Sequence, residues 1–372
     1  MTRTEVTGLL ALVLGAACAV PHETTSPPLH RTCPAPGAEA FLQWFVPSNL
    51  EAEEAEQWCA TLGPVTLDSI PDERYGAWQD GDSLAVAVWN VAGGAGYLTE
   101  FLKNELDLDC TAGAPRPPFH FVLLTQEVFR RSADIPVLPP SPAIPPRMKE
   151  PARPGDRPDI VNAARRCGLA FIYVPATRNG VEEFDGMRED KGNAILSTLP
   201  LSDFIAIEVP MVAQRRVSVA ATMHGPHGDS LRVVSVHLNN FPSPWRFAKT
   251  GGMTRVQQAL SVADALDRAE REREGSDDSD GYRIPTIAAG DFNTWSAHET
   301  ALQRLRDYFP DSPPFQGKAT RTGFATDHLL FRKKTVPDTR PGSIIDGSYR
   351  RMNDPYYSDH YPLIAWFSWG GN

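Results

Sequence analysis

The chain has 372 residues, 41% hydrophobic and 22% charged, which suffices to bury one large core or two small ones. Gly 28 and Pro 34 make it loop-rich, well short of a disordered composition. A formal net charge of -10 disfavours a molecule whose overall field attracts polyanions, so binding nucleic acid or acidic lipid requires a local cationic patch or a bridging metal.

The N-terminus carries a targeting pattern. Arg3 precedes the apolar run Leu9-Leu10-Ala11-Leu12-Val13-Leu14, and the small residues Gly15-Ala16-Ala17-Cys18-Ala19 follow. This reads as an export signal over residues 1–18, too short for a membrane span of roughly 20 apolar residues. Leu14-Gly15-Ala16-Ala17-Cys18 also resembles a bacterial lipoprotein box with Cys18 as the lipidated residue, although Gly15 stands where an apolar residue is preferred. The expected locations are secreted, periplasmic or lipid-anchored to the cell envelope. Setting Cys18 aside leaves Cys33, Cys59, Cys110 and Cys167, an even set that predicts two disulfides in an exported chain. Cys33–Cys59 and Cys110–Cys167 are the favoured pairs, because each staples neighbouring segments. No cysteine spacing suggests zinc.

Residues 19–81 read as a tether and an N-terminal extension, rich in Pro, Thr and His over 21–35 and helix-like from Leu50 to Leu62. The extension is too small for its own core and is expected to pack on the main domain. From Ser83, short apolar strands alternate with helices. Leu84–Trp89, the helix Leu98–Leu108, Phe119–Leu124, a helix near Ile160–Arg166 and Leu169–Val174 predict α/β layering. Ala194–Leu196, Val217–Met223 and Leu231–Val236 read as strands. His224-Gly225-Pro226-His227-Gly228-Asp229 reads as a hairpin turn with solvated histidines. A long helix, Thr254–Glu274, runs into the acidic stretch 276–280, and a buried strand, Ile284–Ala289, leads to Asp291.

Two segments are too irregular for scaffold. Val137–Pro158 is Pro-rich with four basic residues, a solvated insertion or a rim loop. Asn240–Gly252 mixes Phe241, Trp245, Arg246, Phe247 and Lys249 with Gly and Pro, which suits a substrate-facing loop.

The chemistry lies where apolar strands end, the place at which α/β sheets present rigidly held side chains. The first strand ends in Trp89-Asn90-Val91 and the second in Thr125-Gln126-Glu127. Later strands end in His237-Leu238-Asn239-Asn240 and in Gly290-Asp291-Phe292-Asn293. Thr326-Asp327-His328 and Ser358-Asp359-His360-Tyr361-Pro362-Leu363 put acids and imidazoles ahead of two further apolar strands. Each motif alone also fits a turn or a surface acid. His22, His30, His120, His298 and His328 lack such support and read as surface or packing residues.

In this order and spacing, the set resembles the endonuclease/exonuclease/phosphatase superfamily, the DNase I-like fold, over roughly residues 82–369. The resemblance implies a four-layer α/β/β/α sandwich of two packed, mainly antiparallel sheets, with one catalytic centre at the strand ends. It implies a phosphodiester hydrolase. Glu127 would be the metal carboxylate, Asn90 a neutral oxygen ligand and Asp359 a support for the metal shell. Hard oxygen ligands suit Mg²⁺, at about 2.1 Å, with Mn²⁺ or Ca²⁺ as alternatives. Asp291 would orient or deprotonate the attacking water, and Asn293 would hold the phosphate and Asp291 in register. His360, oriented by Asp327, would stabilise the phosphorane charge. His237 is a second imidazole of the kind found in the family's secreted nucleases and neutral sphingomyelinases. One histidine would then act as general acid while the other stabilises the phosphate. Asn193 and Asn240 would contact substrate, and Arg255, Gln257 and Gln258 would give structural support.

A nucleic-acid backbone is the first expected substrate. A phospholipid headgroup is the alternative, brought within reach by a lipid anchor at Cys18 or by loop 241–247. A catalytically silent binding domain is a third reading, disfavoured because none of the expected acids or imidazoles is substituted. A monomer is expected.

Overall fold

Side chains alternate along a strand, so each apolar strand offers one row to the sheet opposite and one to a helix layer. The computed structural model describes residues 42–137, 159–179, 186–211, 215–240, 253–274, 284–314, 318–321, 323–333 and 342–369. Among these, one sheet has the order β1 (Leu42–Phe45), β7 (Leu201–Glu208), β8 (Val217–His224), β9 (Ser230–His237), β10 (Thr286–Asp291), β11 (Asp327–Arg332). The other has the order β12 (Gly342–Ile344), β14 (Leu363–Trp369), β3 (Ser83–Asn90), β4 (His120–Ser132), β6 (Arg188–Ser197), β5 (Ala170–Arg178), β2 (Thr66–Asp68), with β13 (Arg350–Arg351) beside β14. β1–β7, β9–β10 and β3–β4 pair in parallel and the other pairs are antiparallel, so the sheets are mixed.

Three apolar layers follow from the alternation. Val86, Val88, Val122 and Leu124 of one sheet meet Val219, Val233, Ile287 and Leu329 of the other in the inter-sheet core. The opposite rows, Ala85, Ala87, Phe121 and Leu123, are covered by α2 (Leu98–Glu105) and α3 (Ile160–Cys167) through Phe101, Leu102, Ile160 and Ala164. Val234, Val236, Ala288 and Leu330 are covered by Val256, Val262 and Leu266 of α4 (Met253–Glu274) and by Leu302 and Leu305 of α5 (Thr300–Tyr308). The result is the expected α/β/β/α order of layers.

The segment before Ser83 does more than pack against the domain. Its β1 lengthens one sheet beside β7, and its β2 lengthens the other beside β5. Between them lies α1 (Asn49–Cys59), capped at Ser48. A further difference falls in β4. The sequence ends this strand at Glu127, whereas the structure carries it to Ser132 across a register shift between Thr125 and Val128.

Cys110 and Cys167 form a disulfide, joining the segment after α2 to the end of α3. Cys59 is disulfide-bonded too, and its expected partner, Cys33, lies outside the described residues. So do the export signal, most of loop 137–158 and loop 241–252. His224 and His227 are exposed in the β8–β9 turn. Among the described residues, no helix is long and apolar enough to cross a membrane.

Candidate active site

The inter-sheet rows end in polar residues, and this is what gathers the site. Val86, Val88 and Asn90 share a phase, as do Ile287, Ala289 and Asp291, and Leu329 and Asp327. Register then sets the neighbours. Asp291 lies opposite His237 on one side and Asp327 on the other. Four side chains with little apolar character therefore close one end of an apolar core.

Asp291 is the hub. Its Oδ2 accepts hydrogen bonds from Asn90 Nδ2 at 2.9 Å and Asn293 Nδ2 at 3.1 Å, and its Oδ1 accepts from the Asn293 backbone N–H at 2.9 Å. Asn293 adopts φ 50, a left-handed turn that Asn tolerates, and also donates to Leu238 O at 2.9 Å. Burial pushes the Asp291 carboxyl up to about 7, against the lowering pull of His360 and with Asp327 adding to the rise. A carboxylate with that affinity for protons suits a general base near neutral pH. Gly290 allows the approach. It has φ 151, and a Cβ there would sit 2.0 Å from Val236 O, inside the parallel β9–β10 pairing.

Glu127 reaches the cluster only because β4 is bulged. In regular alternation, 127 shares the phase of Phe121 and Leu123 and would point to the helix layer. Glu127 instead takes φ 54 at the register shift, and its carboxylate turns to the inter-sheet side. A non-glycine residue in this conformation costs about 1–2 kcal/mol, strain of the kind retained at functional sites. The carboxylate lies 3.4 Å from Lys191 Nζ, 3.6 Å from an Arg216 guanidinium nitrogen and 3.7 Å from His237 Nε2. Burial favours its neutral form, but the Lys191 and Arg216 cations outweigh that and hold it well below the usual carboxylate range.

The two histidines differ in kind. His360 Nδ1 bonds Asp327 Oδ2 at 2.7 Å, while its Nε2 faces Asp291 Oδ2 at 3.8 Å. Burial disfavours its cation, yet Asp327 and Asp291 raise it to about 10. Asp327 is held as the anion in turn, His360 and the Thr320 and Thr326 hydroxyls overcoming burial. His237 takes the opposite course. Burial first, and Arg216 second, push it well below the ordinary imidazole value. The His360 loop is fixed to β3, because Ser358 Oγ donates to Asn90 O at 2.7 Å and Trp89 Nε1 donates to His360 O at 3.2 Å.

Other sequence-picked residues have partners of their own. Asp359, expected near the metal, is half exposed, with Oδ2 paired to an Arg321 guanidinium nitrogen at 2.8 Å and Oδ1 3.8 Å from His360 Nε2. One oxygen thus pairs with Arg321 while the other stays beside the His360 ring. Asn193 donates to Val217 O at 2.8 Å, which ties the two sheets together. Asn240 is exposed at the edge of the described residues. Arg255 pairs with Glu299, whose other oxygen accepts from Trp295 N at 3.1 Å, and Gln258 accepts from Asn239 N at 2.9 Å. Both give structural support. His328 is buried against Phe292 and bonds Thr294 at 2.8 Å, a packing role.

The donors present fit a hard divalent cation. Asp291, Asp327 and His360 bring ligand atoms within 4.8 Å of one another. A cationic imidazole bonded to Asp327 has no lone pair to give, however. Glu127 and Asp291 offer carboxylate oxygen, the ligand type such an ion takes, and the Asn90 side-chain oxygen, which accepts from Ala92 N at 3.0 Å, is a neutral oxygen beside them.

Sequence reading missed Lys191, Arg216 and Arg321. Arg215-Arg216 directly ahead of an apolar strand was the available signal, since two consecutive arginines at a buried strand start need buried partners. Arg215 finds Glu208 and Arg216 finds Glu127.

A sequence model of the Endonuclease/Exonuclease/phosphatase family matches residues 87–360, from within β3 to His360. No curated protein sequence matches the chain. Among solved structures, the catalytic domain of human Nocturnin with bound sulfate is 17% identical, with a TM-score of 0.47 and coverage of 78% of this chain and 96% of that one. An endonuclease/exonuclease/phosphatase from Beutenbergia cavernae is 15% identical, with a TM-score of 0.46, covering 78% of this chain and 72% of its own. A mannosyl-6-phosphatase from Bacteroides thetaiotaomicron is 13% identical, with a TM-score of 0.40, covering 76% and 99%. The family match spans most of the chain and ends on the imidazole at the heart of the cluster: this protein belongs to the endonuclease/exonuclease/phosphatase family of phosphoester hydrolases.

Proposed function

We propose that the chain is an exported, divalent-metal-dependent phosphodiesterase whose first substrate is a nucleic-acid backbone. The observation that carries this reading is the convergence on Asp291: two amide donors, a cationic imidazole and a neutral imidazole surround one buried carboxylate. Asp291 takes the proton of the attacking water, and Asn90 and Asn293 keep its oxygens in place. Cationic His360, fixed by Asp327, meets the negative charge that develops on the phosphoryl group and can pass its Nε2 proton to the leaving oxygen. Lys191 and Arg216 add positive charge behind Glu127, which offsets locally the net charge of -10. Mg²⁺ held by Glu127 and Asn90 would supply Lewis-acid polarisation of the phosphate.

Export is supported by the N-terminal pattern and by the Cys110–Cys167 bridge, a bond that persists in oxidising compartments. The test is a substrate panel on the purified chain with Mg²⁺. Acid-soluble nucleotides released from DNA or RNA are the expected result. Phosphocholine release from sphingomyelin without nucleotide release would replace the nucleic-acid reading with the lipid one.

A further inference from the structure

The ring of His237 is held by a donor on its far side. Arg216 NH1 lies 3.3 Å from His237 Nδ1, and both groups are buried. A guanidinium has only N–H groups to offer, so Nδ1 can take part in this bond only as the acceptor, through its lone pair. The ring proton of the neutral imidazole must then sit on Nε2. That nitrogen is buried without a hydrogen-bond partner among the described residues and faces Glu127 Oε1 at 3.7 Å and Asp291 Oδ2 at 3.6 Å. Both distances are too long for a hydrogen bond. The Nε2–H is therefore aimed into the space between the two carboxylates.

We infer that Arg216 is a positioning residue that fixes His237 as the neutral Nε2–H tautomer, making it a hydrogen-bond donor to a phosphoryl oxygen and not a proton donor to the leaving group. The inference rests on reading this cluster as the phosphoester site. The two imidazoles then divide the work. His360, whose Nδ1 faces a carboxylate, can release a proton from Nε2 to a leaving oxygen and return to the neutral ring. His237, whose Nδ1 faces a guanidinium, has one proton and keeps it throughout. Arg216 NH1 also approaches Glu127 at 3.6 Å, so loss of activity on substitution would not by itself identify the role. The tautomer does.

The test is a long-range ¹H–¹⁵N correlation spectrum of the full chain with labelled histidine, His237 being assigned by its loss in His237→Asn. Wild type should show a bare Nδ1 and a protonated Nε2. Arg216→Met should move the proton to Nδ1 or mix the two forms, while Arg216→Lys, which keeps a donor, should hold Nε2–H. In turnover, Arg216→Met should lower kcat by about 10²-fold, the scale for losing one donor to a developing anion, with KM moving less and Arg216→Lys recovering part of kcat. A proton on Nδ1 in wild type overturns the inference, as does an unchanged tautomer in Arg216→Met. If Arg216→Met does not fold, the wild-type spectrum alone decides. The spectrum needs no substrate, so it can fail or succeed whether or not the chain hydrolyses a phosphodiester.

Discussion

His360 Nδ1 lies 2.7 Å from Asp327 Oδ2, and this contact leads what keeps His360 a cation, while burial and Arg216 leave His237 a neutral ring. Asp327 also accepts from Thr326 Oγ1 at 3.0 Å, and its backbone N–H donates to Thr320 Oγ1 at 3.0 Å. The anion is thus oriented before it meets His360.

Asp327→Asn should remove the pull that keeps His360 charged. In wild type His360 titrates at about 10, so activity that needs the cation should hold through neutral pH and fall as pH rises through about 10. In Asp327→Asn that alkaline limb should move down toward the ordinary imidazole range, near 6.5. Stability should follow the same sign. Folding raises the His360 value, so its contribution is complete below about 6.5 and is lost as pH climbs through about 10. Urea midpoints at pH 6 and pH 10.5 check this: Asp327→Asn should show the smaller difference between them.

Asp291 should leave a matching mark at lower pH. Burial raises it to about 7, so its ionisation opposes folding, and stability should decline as pH rises through about 7. With chelator present, the fall in urea midpoint between pH 5.5 and pH 8.5 should be smaller in Asp291→Asn than in wild type. An equal fall in both proteins would show that Asp291 does not titrate in that window.

Glu127 should govern metal binding. Mg²⁺ at about 100 times its Kd should stabilise wild type by about 2.7 kcal/mol, read as a rise in Tm. Glu127→Gln should lose that rise and, with it, turnover. A full Mg²⁺-dependent rise in Glu127→Gln would move the metal to other ligands.

Gly290→Ala should destabilise by about 3 kcal/mol or prevent soluble expression, through overpacking against backbone. The added methyl meets Val236 O at 2.0 Å and Gln126 Nε2 at 2.9 Å, and neither the β9 backbone nor the Gln126 side chain, which donates to Ser235 at 2.9 Å, can step aside cheaply. Chemical denaturation gives the value directly, and a change below about 1 kcal/mol would contradict it.

Much of the site could be read from sequence because strand ends are local events. An apolar run that stops at Asn90, His237 or Asp291 marks both the strand and the polar residue that closes it. The partners of Arg216 and Lys191 were not readable, since each lies across the fold: Arg216 directly precedes β8 and meets Glu127 on β4. The bulge at Glu127 was hidden for a related reason. Apolar periodicity reports alternation, and a single left-handed residue that breaks it is set by tertiary packing. Asp359 was legible as an acid beside His360, and its Oδ1 stands 3.8 Å from His360 Nε2. Its pairing with Arg321, distant in sequence, was not. The edge strands β1 and β2 are too short to carry a pattern of their own, at four and three residues.

Hydrolysis of bis-p-nitrophenyl phosphate by the purified chain, with Asp291→Asn as the blank, tests the central claim most directly. The wild-type chain with Mg²⁺ should release p-nitrophenol, and Asp291→Asn and His360→Ala should each fall by at least about 10²-fold through loss of the base or of charge stabilisation. Wild-type turnover that survives intact in Asp291→Asn under chemistry-limited conditions, or no turnover with either Mg²⁺ or Mn²⁺, would contradict it.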